Sequence, residues 1–179
     1  MTPAMADDTQ KPETAKPETA DYVLTHTMLR IKDPARSLPF YTEVLGMRLV
    51  TRLDFDEARF SLYFLQAGGH ADRADGSLAQ TFSRAGLLEL THNWGSEGDD
   101  TAMHSGNEAP KGYGHICIAV PDIAAACARF DRLGVRFRKR LGEGGMKEIA
   151  FIEDPDGYWI EIVQPDLMDA LLAGHHKQT

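Results

Sequence analysis

The sequence predicts an α+β fold, with tandem βαβββ modules forming curved mixed sheets, and three observations carry that prediction. A histidine opens an apolar run twice, at His26-Thr27-Met28-Leu29-Arg30-Ile31 and at His115-Ile116-Cys117-Ile118-Ala119-Val120, and each run closes on an aspartate beside a proline. An amphipathic stretch follows each and ends in Leu-Gly, at Leu45-Gly46 and Leu133-Gly134. Each copy then ends in a strand-like run with one glutamate among apolar residues, Leu88-Glu89-Leu90 and Ile160-Glu161-Ile162. His26 and His115 lie 89 positions apart and the Leu-Gly pairs 88 apart, a near-constant offset that marks a duplication.

Residues 1–20 stand outside the repeat. Lys11-Pro-Glu-Thr-Ala followed by Lys16-Pro-Glu-Thr-Ala is a polar repeat with no apolar face, too poor in burial to offset its ordering entropy, and reads as a disordered arm. The first module spans 21–94. Tyr22 to Ile31 reads as a strand, and Asp33-Pro34 as a helix start, since proline suits the first turn. Leu38, Phe40, Tyr41, Val44 and Leu45 give that helix one apolar face, and Gly46 stops it. Met47 to Leu53 and Phe60 to Leu65 read as strands around a polar turn, 67–80 as a surface loop, and Gly86 to His92 as the last strand.

A polar linker, 95–111, joins the copies. The second module, 112–164, repeats the order: strand 112–120, helix 123–133, then strands near 135–140, 147–153 and 158–163. Residues 165–179 read as a short helix and a solvated tail that includes His175-His176.

With 179 residues, 42% of them hydrophobic, the chain is large enough for one globular core. No apolar run is long enough to span a membrane, and a net charge of -8 disfavours nucleic acid or an anionic membrane as partner. The amino-terminal stretch lacks the form of a signal peptide, and Cys117 and Cys127 form no metal-spaced pair, so a cytoplasmic protein with reduced thiols is expected.

A lone strand histidine is usually a satisfied core residue and a lone strand glutamate usually faces solvent. Four such residues at equivalent positions in two copies reverse that balance. His26, Glu89, His115 and Glu161 form a nitrogen and oxygen donor set suited to a divalent transition ion. Glu89 shares a strand face with Leu87 and Thr91, where an uncompensated carboxylate is costly.

Several longer runs resemble glyoxalase I of the vicinal oxygen chelate superfamily. They are His26-Thr-Met-Leu-Arg-Ile-Lys-Asp-Pro, Phe40-Tyr-Thr-Glu-Val-Leu-Gly-Met, Phe60-Ser-Leu-Tyr-Phe-Leu, Leu88-Glu-Leu-Thr-His-Asn-Trp-Gly, Gly112-Tyr-Gly-His-Ile and Asp154-Pro-Asp-Gly-Tyr-Trp-Ile-Glu-Ile. The likeness extends from about Tyr22 to Leu172. It implies paired βαβββ modules and a lactoylglutathione lyase, which isomerises the hemithioacetal of methylglyoxal and glutathione to S-lactoylglutathione through an enediolate.

The resemblance also implies roles. His26, Glu89, His115 and Glu161 become metal ligands, with histidine at 26 where animal enzymes carry glutamine. Glu161 becomes the catalytic base, and Glu89 assists with the opposite substrate enantiomer. Zinc is the expected ion, because the 67–80 and 95–111 loops look like the zinc-type class; nickel or cobalt are the alternatives. Glutathione, the cosubstrate, would meet Arg30, Asn93 and Lys111 at its γ-glutamyl end and Lys139 and Gly144 at its glycyl end. Lys111 stands where relatives often have arginine and lacks that residue's planar fork. Phe55, Phe60, Leu62, Phe64 and Met146 resemble the apolar pocket. Relatives of this length place the active site between two chains, so a homodimer is implied; closure of both modules around one site in a monomer is the other arrangement.

The same fold hosts other activities. An iron dioxygenase would use two histidines and one carboxylate, a drug-sequestering protein would need no ligand set, and a thiol transferase acting on an epoxide antibiotic usually lacks the Asn-Trp-Gly stretch. The four-residue set favours the lyase.

Overall fold

The computed structural model describes residues 17–68 and 77–169. Expectations for the arm before residue 17, the middle of the 67–80 loop and the His175-His176 tail lie outside the described residues.

The duplication is visible as two four-stranded mixed sheets of the same order. In the first, β1 (His26–Ile31) pairs parallel with β4 (Leu87–Asn93), which continues antiparallel to β3 (Phe60–Gln66) and then β2 (Arg48–Phe55). In the second, β5 (His115–Ala119) pairs parallel with β8 (Trp159–Val163), followed by β7 (Ala150–Glu153) and β6 (Phe137–Lys139).

The helices start and stop as their punctuation dictates. Asp33 caps α1 (Pro34–Pro39) by accepting from Ala35 N at 2.8 Å, and Asp122 caps α3 (Ile123–Arg132) by accepting from Ala125 N at 2.9 Å. Gly46 and Gly134 both hold φ of +69°, the left-handed conformation that lets the chain leave the helix.

The structure departs from several expected boundaries: β2 runs on to Phe55, β5 begins at His115 rather than Gly112 and β7 at Ala150 rather than 147, and three further differences have a visible cause. β1 begins at His26 rather than Tyr22, because its partner β4 begins opposite at Leu87, after Gly86 turns the chain at φ +72°. The expected helix 34–45 is α-helical only to Pro39 and then widens into a π-helical turn, Phe40–Val44, with Leu45 N donating to Phe40 O. Proline supplies no N–H at that point, which favours the change. Within the expected loop 67–80 and just past it, Ser77 caps a short helix α2 (Leu78–Phe82). The segment 165–169 is helical.

The backs of both sheets share one core, in which Ile31, Tyr41, Leu65, Leu90, Ile160 and Ile162 are at most 1% exposed. Burial of each aliphatic side chain of this kind contributes about 1.5–3 kcal/mol. A polar clamp crosses the core boundary. Asp156, in the turn before β8, accepts from Lys32 N at 3.1 Å and Ser37 Oγ at 2.8 Å, both in the first copy. Beside it, Asp154 accepts from Tyr41 Oη at 2.7 Å and from the backbone N–H groups of Asp156 and Tyr158.

Candidate metal centre and substrate face

Strand pairing decides which side chains share a face, and it gathers most of the expected site on the open side of the first sheet. Met28, Glu89 and Phe64 lie in one row across β1, β4 and β3; Arg30, Thr91 and Leu62 form the next; Asn93, Phe60 and Phe55 the third. His26 stands at the end of β1 with its Nε2 3.1 Å from Glu89 Oε2. Phe64 and Phe82 flank that imidazole edge-on, with ring centroids at 5.5 and 5.9 Å. Thr25 Oγ1 lies 2.8 Å from Nδ1 on its other side, and the Thr91 hydroxyl donates to Glu89 Oε1 at 3.0 Å.

The second sheet repeats the arrangement. His115 Nε2 is 3.2 Å from Glu161 Oε2, and Phe151, across from Glu161, packs on the His115 ring at 5.2 Å. Cys117 takes the position of Met28 and lies opposite Glu161. Burial, then the adjacent Glu161 carboxylate, push its thiol up to about 11, so it stays protonated and able to donate to that carboxylate. The His115 side chain is 39% exposed against 26% for His26, so the second half is the more open.

These pairs fit a divalent ion. Two ligands each about 2.1 Å from one ion, at angles between octahedral and tetrahedral, stand about 3.0–3.4 Å apart. Both His–Glu separations fall in that range, and the donors are imidazole nitrogens and carboxylate oxygens. Each sheet thus presents one His–Glu pair with the spacing that two ligands of one ion would have. Among the described residues, no group of three or more His, Cys, Asp or Glu comes together within the single chain.

The remaining expected residues divide. Lys139 pairs with Phe151, on the Glu161 face, but its ammonium donates to the carbonyls of Met146 at 2.5 Å and Ile149 at 2.7 Å. It therefore ties down the 140–149 loop that carries Gly144, at φ +68°, and the exposed Met146. Lys111 is exposed in the linker, beyond the rows on either sheet. Phe64 is fully buried, whereas Phe55 is 42% exposed and stacks on Phe60 at 4.6 Å.

Sequence reasoning missed Phe82, Thr25 and Phe151. Phe151 had a readable signal: it stands at the position in the second copy that Phe64 holds in the first. Phe82 lies on a five-residue helix too short to show a period. Much of the distinctive Thr91-His-Asn-Trp-Gly run proves architectural. His92 Nε2 is 2.9 Å from Glu97 Oε2, and the Trp94 indole donates to Ser61 Oγ at 2.9 Å. Glu97 also accepts from Gly95 N, and hydrogen bonds from the backbone and from His92 hold its carboxyl below the usual range.

Comparison with known proteins gives the family and the fold. The family model described as the Glyoxalase/Bleomycin resistance protein/Dioxygenase superfamily matches residues 23–162. The lactoylglutathione lyase of Pseudomonas aeruginosa is 60% identical over 152 residues, which cover 83% of this chain and 86% of that one. Glyoxalase I of Saccharomyces cerevisiae is 51% identical over 144 residues, 79% of this chain and 44% of that longer protein. Among solved structures, the trypanothione-dependent glyoxalase I of Leishmania major superposes with a TM-score of 0.61 at 33% identity, over 87% of this chain and 96% of that one.

Proposed function

The chain belongs to the Glyoxalase/Bleomycin resistance protein/Dioxygenase superfamily, and from that premise we propose how it acts as a lactoylglutathione lyase, the name carried by relatives 60% and 54% identical to it. The observation that carries the reading is the pair of matched half-spheres, His26 with Glu89 and His115 with Glu161, on the open faces of two equivalent sheets. The substrate is the hemithioacetal of methylglyoxal and glutathione. Zinc is the ion these donors suit, with nickel and cobalt as alternatives.

When bound, the ion supplies positive charge against the oxygens on which negative charge develops. The protein's own groups do the rest. Glu161 takes the proton from the carbon bearing the thioether and returns it to the neighbouring carbon, and Glu89 holds the equivalent place toward the opposite enantiomer. The aromatic side chains around His26 keep water from the proton in transit, which a transfer between adjacent carbons requires. Arg30 and Asn93, on the rows beside Glu89, suit the charged γ-glutamyl end, with Lys111 added from the linker. Lys139 shapes the 140–149 loop against the glycyl end, where its third N–H is available to a carboxylate.

A second copy of the chain completes the centre in this reading. Its support is that each sheet carries only half the donor set, and that Met28 and Phe55 leave apolar surface on the open face of the first sheet. The two unpaired thiols, Cys117 and Cys127, suit the reducing cytoplasm. Among the described residues no helix is long and apolar enough to cross a membrane.

The test is absorbance at 240 nm with methylglyoxal pre-equilibrated with glutathione, using chelated protein refilled with zinc, nickel or cobalt. A metal-dependent rise that falls by about 10²- to 10⁴-fold in Glu161→Gln is the expected result. Folded, metal-loaded protein that gives no rise sinks the lyase reading.

A further inference from the structure

We propose that Thr25 is a positioning residue for His26: its hydroxyl partners Nδ1 and so holds Nε2 turned toward Glu89 and the metal; this rests on the reading of His26 as a ligand. The imidazole is constrained on every side that the structure describes. Phe64 and Phe82 fix its plane edge-on, Glu89 stands 3.1 Å from Nε2, and Thr25 Oγ1 stands 2.8 Å from Nδ1. Thr25 is itself anchored, since its carbonyl accepts from Leu87 N at 2.9 Å at the first rung of the β1–β4 ladder.

A ring that offers the Nε2 lone pair to an ion must carry its proton on Nδ1, and that N–H needs an acceptor. A ring that instead donates Nε2–H to Glu89 has a bare Nδ1, which needs a donor. A hydroxyl meets both needs by rotating about its Cβ–Oγ bond, whereas a carbonyl or carboxylate meets only the first. Thr25 therefore satisfies the ring in both states. The structure gives His26 this support while His115, the more exposed ligand, rests on Phe151.

The experiment uses the full chain with Thr25→Val, which keeps the branched shape without the hydrogen bond, Thr25→Ser, which keeps the hydroxyl, Thr25→Ala as a second deletion, and His26→Ala as control. Zinc affinity is read by competition with a chromogenic chelator, and the environment of His26 Nδ1 by long-range ¹H–¹⁵N correlation with and without zinc. The expected result is a 10- to 100-fold loss of zinc affinity in Thr25→Val and Thr25→Ala, about what loss of a ligand's supporting partner costs. In the same spectra the Nδ1 resonance moves from its wild-type position, since its hydrogen-bond partner is gone, and Thr25→Ser restores both readouts. Wild-type affinity and Nδ1 resonance in both deletions, with zinc binding lost in His26→Ala, would overturn the role of Thr25 and leave the ligand reading standing. Unchanged affinity in His26→Ala would instead remove the ligand reading and the proposal together.

Discussion

Glu89 and Glu161 hold equivalent places in the two copies, yet their restraints differ by one atom type. Two residues beyond Glu89, the Thr91 hydroxyl donates to its carboxylate; two beyond Glu161 stands Val163, and the neighbouring donor is the Cys117 thiol. A thiol is the weaker donor, so Glu161 is the carboxylate freer to move a proton. Val163→Thr is expected to tether it and lower kcat by about 2- to 10-fold with little change in KM, the worth of one net hydrogen bond. An unchanged kcat in steady-state assays would count against this asymmetry. A second residue-scale expectation concerns Asp154. Burial outweighs its hydrogen bonds from Tyr41, Tyr158 and Asp156 and raises its carboxyl to about 6. Because the folded value exceeds the unfolded one, its contribution is fully present below about pH 4 and is lost as pH rises through 6, by about 3 kcal/mol. Melting temperature measured from pH 4 to 7 should therefore show a downward component in the wild type that Asp154→Asn removes.

Among the elements, the linker has one position with no tolerance. Gly106 sits at φ +80°, and a Cβ there would overlap the Tyr113 backbone, whereas one at Gly112 would meet nothing within 4 Å. Gly106→Ala is expected to cost about 2 kcal/mol or more and Gly112→Ala less than about 1 kcal/mol, judged by chemical denaturation. Equal losses would show that the linker adapts. Elements of this kind explain what could be read beforehand. Asp33 and Asp122 announced their helices, Gly46 and Gly134 ended them, and alternation along β1, β3 and β4 put His26, Arg30, Glu89, Asn93 and Leu62 on one face. These are local rules acting over a few residues. The α2 helix is too brief to show a period, and Pro39, though it interrupts the α-helical ladder, does not by itself specify that a π-helical turn follows. The engagement of Lys139 by the Met146 and Ile149 carbonyls depends on a loop path that no local rule specifies.

For the whole molecule, the proposed reading gives each sheet one half of a metal centre, and a two-fold dimer would make two centres, each drawing one half from each chain. That arrangement has a direct signature. One inactive variant carries His26→Ala with Glu89→Gln, and another His115→Ala with Glu161→Gln. Co-refolded in equal amounts, they should regain roughly one quarter of wild-type activity, since half of the dimers form across the two variants and each of those holds one intact centre. Activity that stays at zero after subunit exchange, with mixed dimers present, would show that both halves close within one chain.

The clamp formed by Asp154 and Asp156 links residues 113, 119 and 124 positions apart in the chain. A chain emerging from the ribosome therefore exposes Lys32 N, Ser37 and Tyr41 long before their partners are synthesised. The amino-terminal half must wait, incompletely satisfied, for nearly the last strand. In consequence, duplication has not left two self-sufficient units: the later copy finishes the earlier one, and a gene cut at the linker would yield a first half lacking the acceptors on which its own helix depends.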